Sequence, residues 1–388
     1  MTGKGNFQEL TEFLDGVEKA FGVPACDCIL AKDGEILYRH RAGSLKNSGE
    51  TGKETYWLYS ATKIATCTAA MQLMERGRLG LDDPVGKYLP EFEALRVRRT
   101  DGSIYPAGRK MTVLHLMTMT GGLDYDLSRP GLRAALALPE RERTTQRIVR
   151  ALSEDPLLFE PGTRFRYSFC HDVLGAVIEV AAGQRLCDYM REFIFAPLGM
   201  EDTTFHPNPR QRARMVKQYA HSDDRGTLTD WNQDNEWRFG DEYDSGGAGL
   251  MSTVEDYIRL LSALSLGGAL PGGERILRSE SVKKMATPRL EGVALEDFWN
   301  RSAAMKGYNY GLGVRVLVDG RGIASPPGEF GWDGAAGAYA LVEPINHIAL
   351  YYAQQVYSCP IVYQKLHPAL RDTVWRCLKK ETERKGIK

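Results

Sequence analysis

A serine and a lysine three residues apart could form a nucleophile with its own base. Ser60 and Lys63 begin a run that continues to about residue 74, in which apolar residues recur at helical spacing. On a helix, positions three apart share one face, so the hydroxyl and the amine would be neighbours. A lysine in apolar surroundings gives up its charge more readily, and a neutral amine can accept the serine proton. This stretch is therefore a candidate nucleophilic centre.

The Ser-x-x-Lys spacing is short enough to recur by chance. A second copy, Ser281 and Lys284, lies in a polar stretch that is typical of the solvated face of a surface helix. The apolar surroundings of Ser60 favour the first copy. Only residues elsewhere in the chain can establish its chemistry.

Two further groups could complete such a site. A tyrosine beside a lysine ammonium can be held near its phenolate form and move protons for a serine, which makes Tyr167, in the stretch 165–175, a candidate. The stretch 330–337 sets small residues around Trp332. Glycines there would let a substrate approach a strand edge, where a backbone N–H can donate to an oxyanion. Taken singly, Tyr167 could equally be a core or surface tyrosine, and the glycine-rich stretch could be a hairpin bend.

The helices and strands that must position these groups are predicted from the periodicity of apolar residues. Strand patterns cluster at both ends of the chain, at 25–31, 35–41, 310–318, 335–342 and 345–354, and helical patterns fill the middle. This order predicts an α+β fold with two domains. We expect residues 1–75 and 246–388 to form a sheet domain together, and residues 76–245 to form an inserted, mainly helical domain.

One long segment of the inserted domain has two interpretations. Residues 207–247 are polar and poor in aliphatic side chains, yet they include Trp231, Trp237, Phe239 and Tyr243. A loop of this length is either a cover over a site or a packed surface loop.

Composition narrows the class of protein. Fifty basic residues balance fifty acidic residues, so net charge recruits neither nucleic acid nor an anionic membrane. The first residues lack a secretory signal pattern, and no apolar run approaches the roughly 20 residues that span a bilayer. The seven cysteines include no Cys-x-x-Cys pair. Free thiols in a reducing cytoplasm are therefore expected, with neither a disulfide framework nor a metal site.

Together, the three groups resemble the motifs of the serine β-lactamase and penicillin-binding-protein superfamily. Ser60-Ala61-Thr62-Lys63, Tyr167-Ser168-Phe169 and Trp332-Asp333-Gly334 stand in that order and at similar intervals. The resemblance extends from roughly residue 10 to residue 375. It implies a β-lactamase/transpeptidase-like fold, in which an antiparallel sheet is flanked by helices.

Within that superfamily the chain is most similar to the class C-like branch, and particularly to family VIII carboxylesterases. Class C β-lactamases have Asn where this chain has Phe169, and Lys-Thr-Gly where it has Trp332, Asp333 and Gly334. Both differences remove polar groups that would contact a β-lactam. Many of the esterases have Trp-Gly-Gly, so Asp333 is a departure: its carboxylate either points away from the ligand or alters the acyl-group preference.

The resemblance implies a role for each residue. Ser60 is the nucleophile, and Lys63 and Tyr167 share the roles of general base and acid. The backbone N–H groups of Ser60 and Ala335 form the oxyanion hole. The substrate-binding residues are Trp332, Phe169, Asp333 and Gly334. The expected reaction is cleavage of a small, short-chain carboxylic ester, with no metal or organic cofactor.

Alternatives stay open within this chemistry. The chain could be a β-lactamase, a D-amino-acid peptidase or amidase, or an acyltransferase that passes the acyl group to an alcohol other than water. A ligand-binding relative without turnover is a further alternative, although the intact Ser60, Lys63 and Tyr167 argue against it. The motifs of α/β-hydrolases, zinc peptidases and nucleotide-binding proteins are absent from the sequence.

Overall fold

Two segments far apart in the chain form one antiparallel sheet. The computed structural model describes residues 7–45, 53–222, 227–270 and 272–384, with side chains to residue 381. Its strands are β1 (Ala25–Lys32), β2 (Glu35–Gly43), β3 (Tyr56–Trp57), β4 (Arg96–Arg98), β5 (Ile104–Pro106), β6 (Tyr219–Ser222), β7 (Thr227–Asp230), β8 (Met251–Ser252), β9 (Tyr308–Tyr310), β10 (Arg315–Leu317), β11 (Phe330–Asp333), β12 (Tyr339–Glu343), β13 (Ile348–Ala353) and β14 (Val356–Tyr357). Within the described residues, the strands of the main sheet lie in the order β2-β1-β13-β12-β11-β10-β9.

The helices occupy mostly the middle of the chain. They are α1 (Gln8–Asp15), α2 (Val17–Phe21), α3 (Thr62–Glu75), α4 (Val113–Met117), α5 (Pro130–Leu136), α6 (Thr145–Ala151), α7 (Cys170–Ala182), α8 (Leu186–Met190), α9 (Pro209–Ala213), α10 (Val254–Ser265), α11 (Ser279–Met285), α12 (Gly292–Trp299) and α13 (His367–Arg384). The sheet and the helices confirm the predicted α+β fold. The exact division into two domains stays a prediction.

The sheet is buried on both faces because side chains of a strand alternate in direction. In β1, Cys28 and Leu30 belong to the apolar cluster that includes residues of α1 and α13. The intervening Ile29 and Ala31 belong to the larger core, which includes α10 and α3. Helices therefore cover the two faces of the sheet, and the sequence of β1 reads as a nearly continuous apolar run.

Helix α3 is the centre of the larger core. The apolar spacing of its sequence predicts one buried face, but the structure buries every residue from Thr62 to Leu73. Two of its polar side chains bond to other segments: Thr66 Oγ1 donates to the Gly246 carbonyl, and Gln72 Nε2 donates to the Ile276 carbonyl at 2.9 Å. A helix enclosed in this way gives the residues at its start a rigid support.

The segment 207–247 has more structure than a plain loop. It contains α9 and β6, and β6 pairs with β14 near the C-terminus. Trp231 stacks on Tyr357 of β14, with ring centroids 5.3 Å apart. Within the residues described, no helix has both the length and the apolar character needed to cross a membrane.

Candidate active site

The backbone conformation just before Ser60 is unusual. Tyr59 has a φ of 45°, in the left-handed region that residues other than glycine rarely adopt. Packing holds it there: the side chain is fully buried, and its hydroxyl donates to Gln218 Oε1 at 2.8 Å. Residues Tyr59–Ala61 form a 3₁₀ turn that leads directly into α3. This bend leaves Ser60 partly exposed at the start of a buried helix, where the positive end of the helix dipole favours negative charge on its oxygen.

Lys63 is fully buried and makes three hydrogen bonds. Its Nζ donates to Ser60 Oγ at 3.1 Å, to the Tyr125 hydroxyl at 3.2 Å and to the Gly247 carbonyl at 2.7 Å. The amine is therefore held against the serine oxygen by acceptors from three separate segments. This is a suitable position for exchanging a proton with the nucleophile.

Tyr125 is a contact of Lys63 that sequence reasoning missed. Burial, followed by the neighbouring Tyr167 and Asp172, raises the pKa of Tyr125 well above its usual value. Its hydroxyl accepts from Lys63 and so helps to orient the amine. Its one sequence signal is its position soon after the Gly121-Gly122 turn, which by itself indicates no chemistry.

Tyr167 also packs against the lysine. Lys63 Nζ is 4.6 Å from the centroid of the Tyr167 ring. The Tyr167 oxygen accepts a hydrogen bond from Trp332 Nε1 at 2.8 Å. The structure thus brings Tyr167 and Trp332, 165 positions apart in sequence, into direct contact, and both line the same cavity as Ser60.

The indole donor gives a testable prediction. We expect Trp332→Phe to lower kcat/KM for an ester by about tenfold, because the Tyr167 oxygen loses the hydrogen bond that holds it towards the cavity. Trp299→Phe is a matched control, since its indole donates to the Tyr308 carbonyl and the side chain is outside the cavity lining. Equal losses in the two variants, measured by steady-state kinetics, would contradict this role for Trp332.

The turn after β11 approaches the nucleophile closely. A Cβ at Gly334 would lie only 2.2 Å from the Leu58 carbonyl oxygen, so this position requires glycine. The Ala335 carbonyl accepts from the Ser358 N–H and from the Tyr363 hydroxyl, which fixes the turn. Among the described residues, the Ala335 N–H donates to no backbone carbonyl outside regular strands and helices. Ala335 and Ser60 line the same cavity, as an oxyanion hole would require.

Asp333 is paired with a buried arginine. Arg315 Nη1 donates to its carboxylate at 2.6 Å, and His367 Nδ1 lies 3.8 Å from the other oxygen. Burial opposes ionisation of Asp333, but Arg315 and then His367 hold its pKa below the usual value. The carboxylate borders the cavity, yet Arg315 compensates its charge.

The cavity has a volume of about 360 Å³. Its lining includes the predicted Ser60, Tyr167, Trp332, Asp333, Gly334 and Ala335. Phe169 lies outside this lining: it is buried, and its ring packs 4.7 Å from that of Tyr125. The structure therefore places Phe169 behind Tyr125, where it supports the site without facing the cavity.

A buried carboxylate fixes the loop that binds Lys63. Asp172 of α7 accepts from the Tyr243 hydroxyl at 2.8 Å, from Ser245 Oγ at 2.6 Å and from the Gly247 N–H at 3.4 Å. Burial raises the pKa of Asp172, while Ser245 and Lys63 act in the opposite direction. Asp172 thus positions the Gly247 carbonyl that accepts from the lysine.

One group of possible metal ligands lies outside the cavity lining. Cys187, His206 and Asp244 have ligand atoms within 4.8 Å of one another. The Asp244 carboxylate already accepts from Arg185 at 3.0 Å and from His206 at 2.5 Å. A guanidinium at the same oxygen opposes cation binding, so the group is best described as an ion-pair network.

The site combines a buried lysine, a serine at the start of a helix, a tyrosine and a glycine-rich strand end. On an α+β fold, this arrangement is that of a serine acyl-transfer site. The model of the Beta-lactamase family matches residues 16–358, and the chain belongs to that family. The resemblance inferred from the three motifs is therefore confirmed. The family comprises serine hydrolases and acyltransferases.

Individual relatives agree with this assignment. Protein Rv1367c of Mycobacterium tuberculosis is 31% identical over 337 residues, covering 84% of this chain and 82% of the relative. Esterase EstB of Burkholderia gladioli is also 31% identical over 337 residues, covering 80% of each chain. The solved structure of EstCE1, a hydrolase with promiscuous acyltransferase activity, has a TM-score of 0.75 at 24% identity and covers 95% of this chain and 98% of its own.

Proposed function

We propose that the protein cleaves short-chain carboxylic esters through an acyl-enzyme on Ser60. The observation that carries the proposal is the hydrogen bond of 3.1 Å between buried Lys63 and Ser60 Oγ at the cavity that Tyr167 and Ala335 also line. The 31% identity with esterase EstB supports an ester as the substrate.

The reaction has two steps, and the same groups of the protein act in both. Ser60 Oγ attacks the ester carbonyl as its proton passes to Lys63 in its neutral amine form or to Tyr167 in its phenolate form. The developing oxyanion accepts hydrogen bonds from the N–H groups of Ser60 and Ala335. One such donor contributes about 3 kcal/mol to the transition state. The C–O bond to the alcohol breaks and the alcohol leaves with a proton. Water then attacks the acyl-enzyme, which releases the carboxylic acid and restores the serine.

The surroundings of Ser60 favour esters over β-lactams. The second motif has Phe169, which is buried and has no amide, and the third motif has Trp332 in place of a lysine. The Asp333 carboxylate forms an ion pair with Arg315. Penicillin turnover is consequently expected to be weak or absent.

A substrate panel with intact-mass detection tests the proposal. It compares p-nitrophenyl acetate, butyrate and decanoate with a p-nitroanilide, a D-alanyl dipeptide, a penicillin and a cephalosporin, with and without an added alcohol acceptor. We expect the highest kcat/KM for the short esters and a transient mass increase equal to the acyl group. Efficient cephalosporin hydrolysis would overturn the ester assignment, and a stable adduct without ester turnover would favour a ligand-binding protein.

A further inference from the structure

Arg301 is a cation at the cavity that the reaction described above does not use. Its guanidinium carbon lies 4.0 Å from the centroid of the Tyr167 ring and 5.7 Å from that of Trp332. It follows α12 in the chain and lines the same cavity as Ser60. The residue is exposed, although packing around the guanidinium lowers its pKa. The guanidinium thus stands beside the catalytic tyrosine at the opening to solvent.

The acidic groups around Arg301 are engaged by other arginines. Asp333 pairs with Arg315, Asp297 pairs with Arg164, and Asp124 pairs with Arg129. Across residues 7–45, 53–222, 227–270 and 272–384, no carboxylate forms an ion pair with the Arg301 guanidinium, and none of its guanidinium N–H groups donates a hydrogen bond to protein. Its positive charge is therefore not neutralised within the described chain.

Stacking on an aromatic ring alone could account for an exposed arginine. Two features of Arg301 argue for a further role. The stacked guanidinium keeps its edge donors available, and their planar fork matches the two oxygens of a carboxylate. The side chain also borders the cavity that holds the nucleophile, within the space a small substrate would occupy.

We infer that Arg301 binds a carboxylate on the substrate, so that the preferred substrates are anionic esters. The inference rests on the proposed ester hydrolysis and specifies its substrate class. The carboxylate belongs either to the acyl half, as in a dicarboxylic acid monoester, or to the alcohol half. Both positions present the same chemistry to the guanidinium, and Arg301 acts as a specificity-determining residue.

Two matched substrate pairs test the inference. Mono-p-nitrophenyl adipate is compared with p-nitrophenyl hexanoate for the acyl half, and m-butyryloxybenzoate with m-tolyl butyrate for the alcohol half. The readout is the ratio of kcat/KM for the anionic ester to that for its neutral partner, in wild type, Arg301→Gln and Lys306→Gln. Lys306 is an exposed cation five residues further along that does not line the cavity, so its variant controls for net charge.

We expect a ratio of about ten or more in at least one pair, which Arg301→Gln lowers to about one and Lys306→Gln leaves unchanged. Added salt should reduce the wild-type ratio, because dissolved ions screen the attraction between the guanidinium and the substrate carboxylate. The inference is overturned if Arg301→Gln does not lower the ratio, or if the wild type shows no preference in either pair. In both cases, turnover of the neutral esters would leave the proposed function intact. Absence of turnover for every ester overturns both.

Discussion

Replacing Ser60 with alanine is expected to abolish ester hydrolysis. The substitution removes the only atom of the site that would form the acyl bond, and Lys63 remains without a nucleophile to activate. We expect kcat/KM to fall by at least about 10⁴-fold. The same variant should show no mass increase after incubation with an ester, because no acyl-enzyme can form.

The chain offers a matched control for this experiment. Ser281 begins the second Ser-x-x-Lys sequence, but in the structure it lies buried in the short helix α11 while Lys284 is exposed. Ser281→Ala should therefore leave the kinetics unchanged. Circular dichroism and thermal unfolding of both variants would show whether they fold. A folded Ser60→Ala protein with full activity would contradict the mechanism.

Replacing Tyr167 with phenylalanine is expected to have the second-largest effect. The ring keeps its contacts with Lys63, Arg301 and Trp332, and only the hydroxyl oxygen is removed. Loss of a positioned acid or base typically costs about 10²–10⁴-fold in rate. We expect a fall of this size in kcat, measured with a short p-nitrophenyl ester, with a smaller change in KM.

Tyr125→Phe separates proton transfer from positioning. Tyr125 also contacts Lys63, but burial raises the pKa of its phenol, and the lysine retains its bonds to Ser60 and Gly247 without it. The expected loss is about tenfold, the cost of one hydrogen bond. If Tyr125→Phe were the more damaging variant, Tyr125 and not Tyr167 would be the proton carrier.

Local features were predictable from the sequence because they depend on neighbouring residues. The Asp33-Gly34 turn between two apolar runs predicts the β1–β2 hairpin, and both residues have positive φ in the structure. Thr253 followed by acidic residues predicts the start of α10, where its side chain accepts from the Asp256 N–H. Strand patterns at both chain ends likewise predicted the α+β sheet.

Contacts between distant segments were not predictable in the same way. Tyr125 and Arg301 carry no motif, and each becomes important only because folding brings it to Lys63 or to Tyr167. Phe169 was placed among the substrate-binding residues by its position in a motif, whereas the structure packs it behind Tyr125. The sequence left open whether the Asp333 carboxylate points away from the ligand or alters the acyl-group preference. Only the structure shows that the buried Arg315 compensates its charge.

The sequence by itself predicted that Ser60 and Lys63 are neighbours, since positions three apart lie on one face in any fold that forms the helix. It also determined the family, through three motifs in order. Only the tertiary structure decided what surrounds that pair: the Tyr125 hydroxyl and the Gly247 carbonyl on the amine, Trp332 on Tyr167, and Arg301 at the opening. The physical reason is that helix geometry sets distances along a few residues, whereas distances across 62 to 184 positions are set by how the sheet and helices pack.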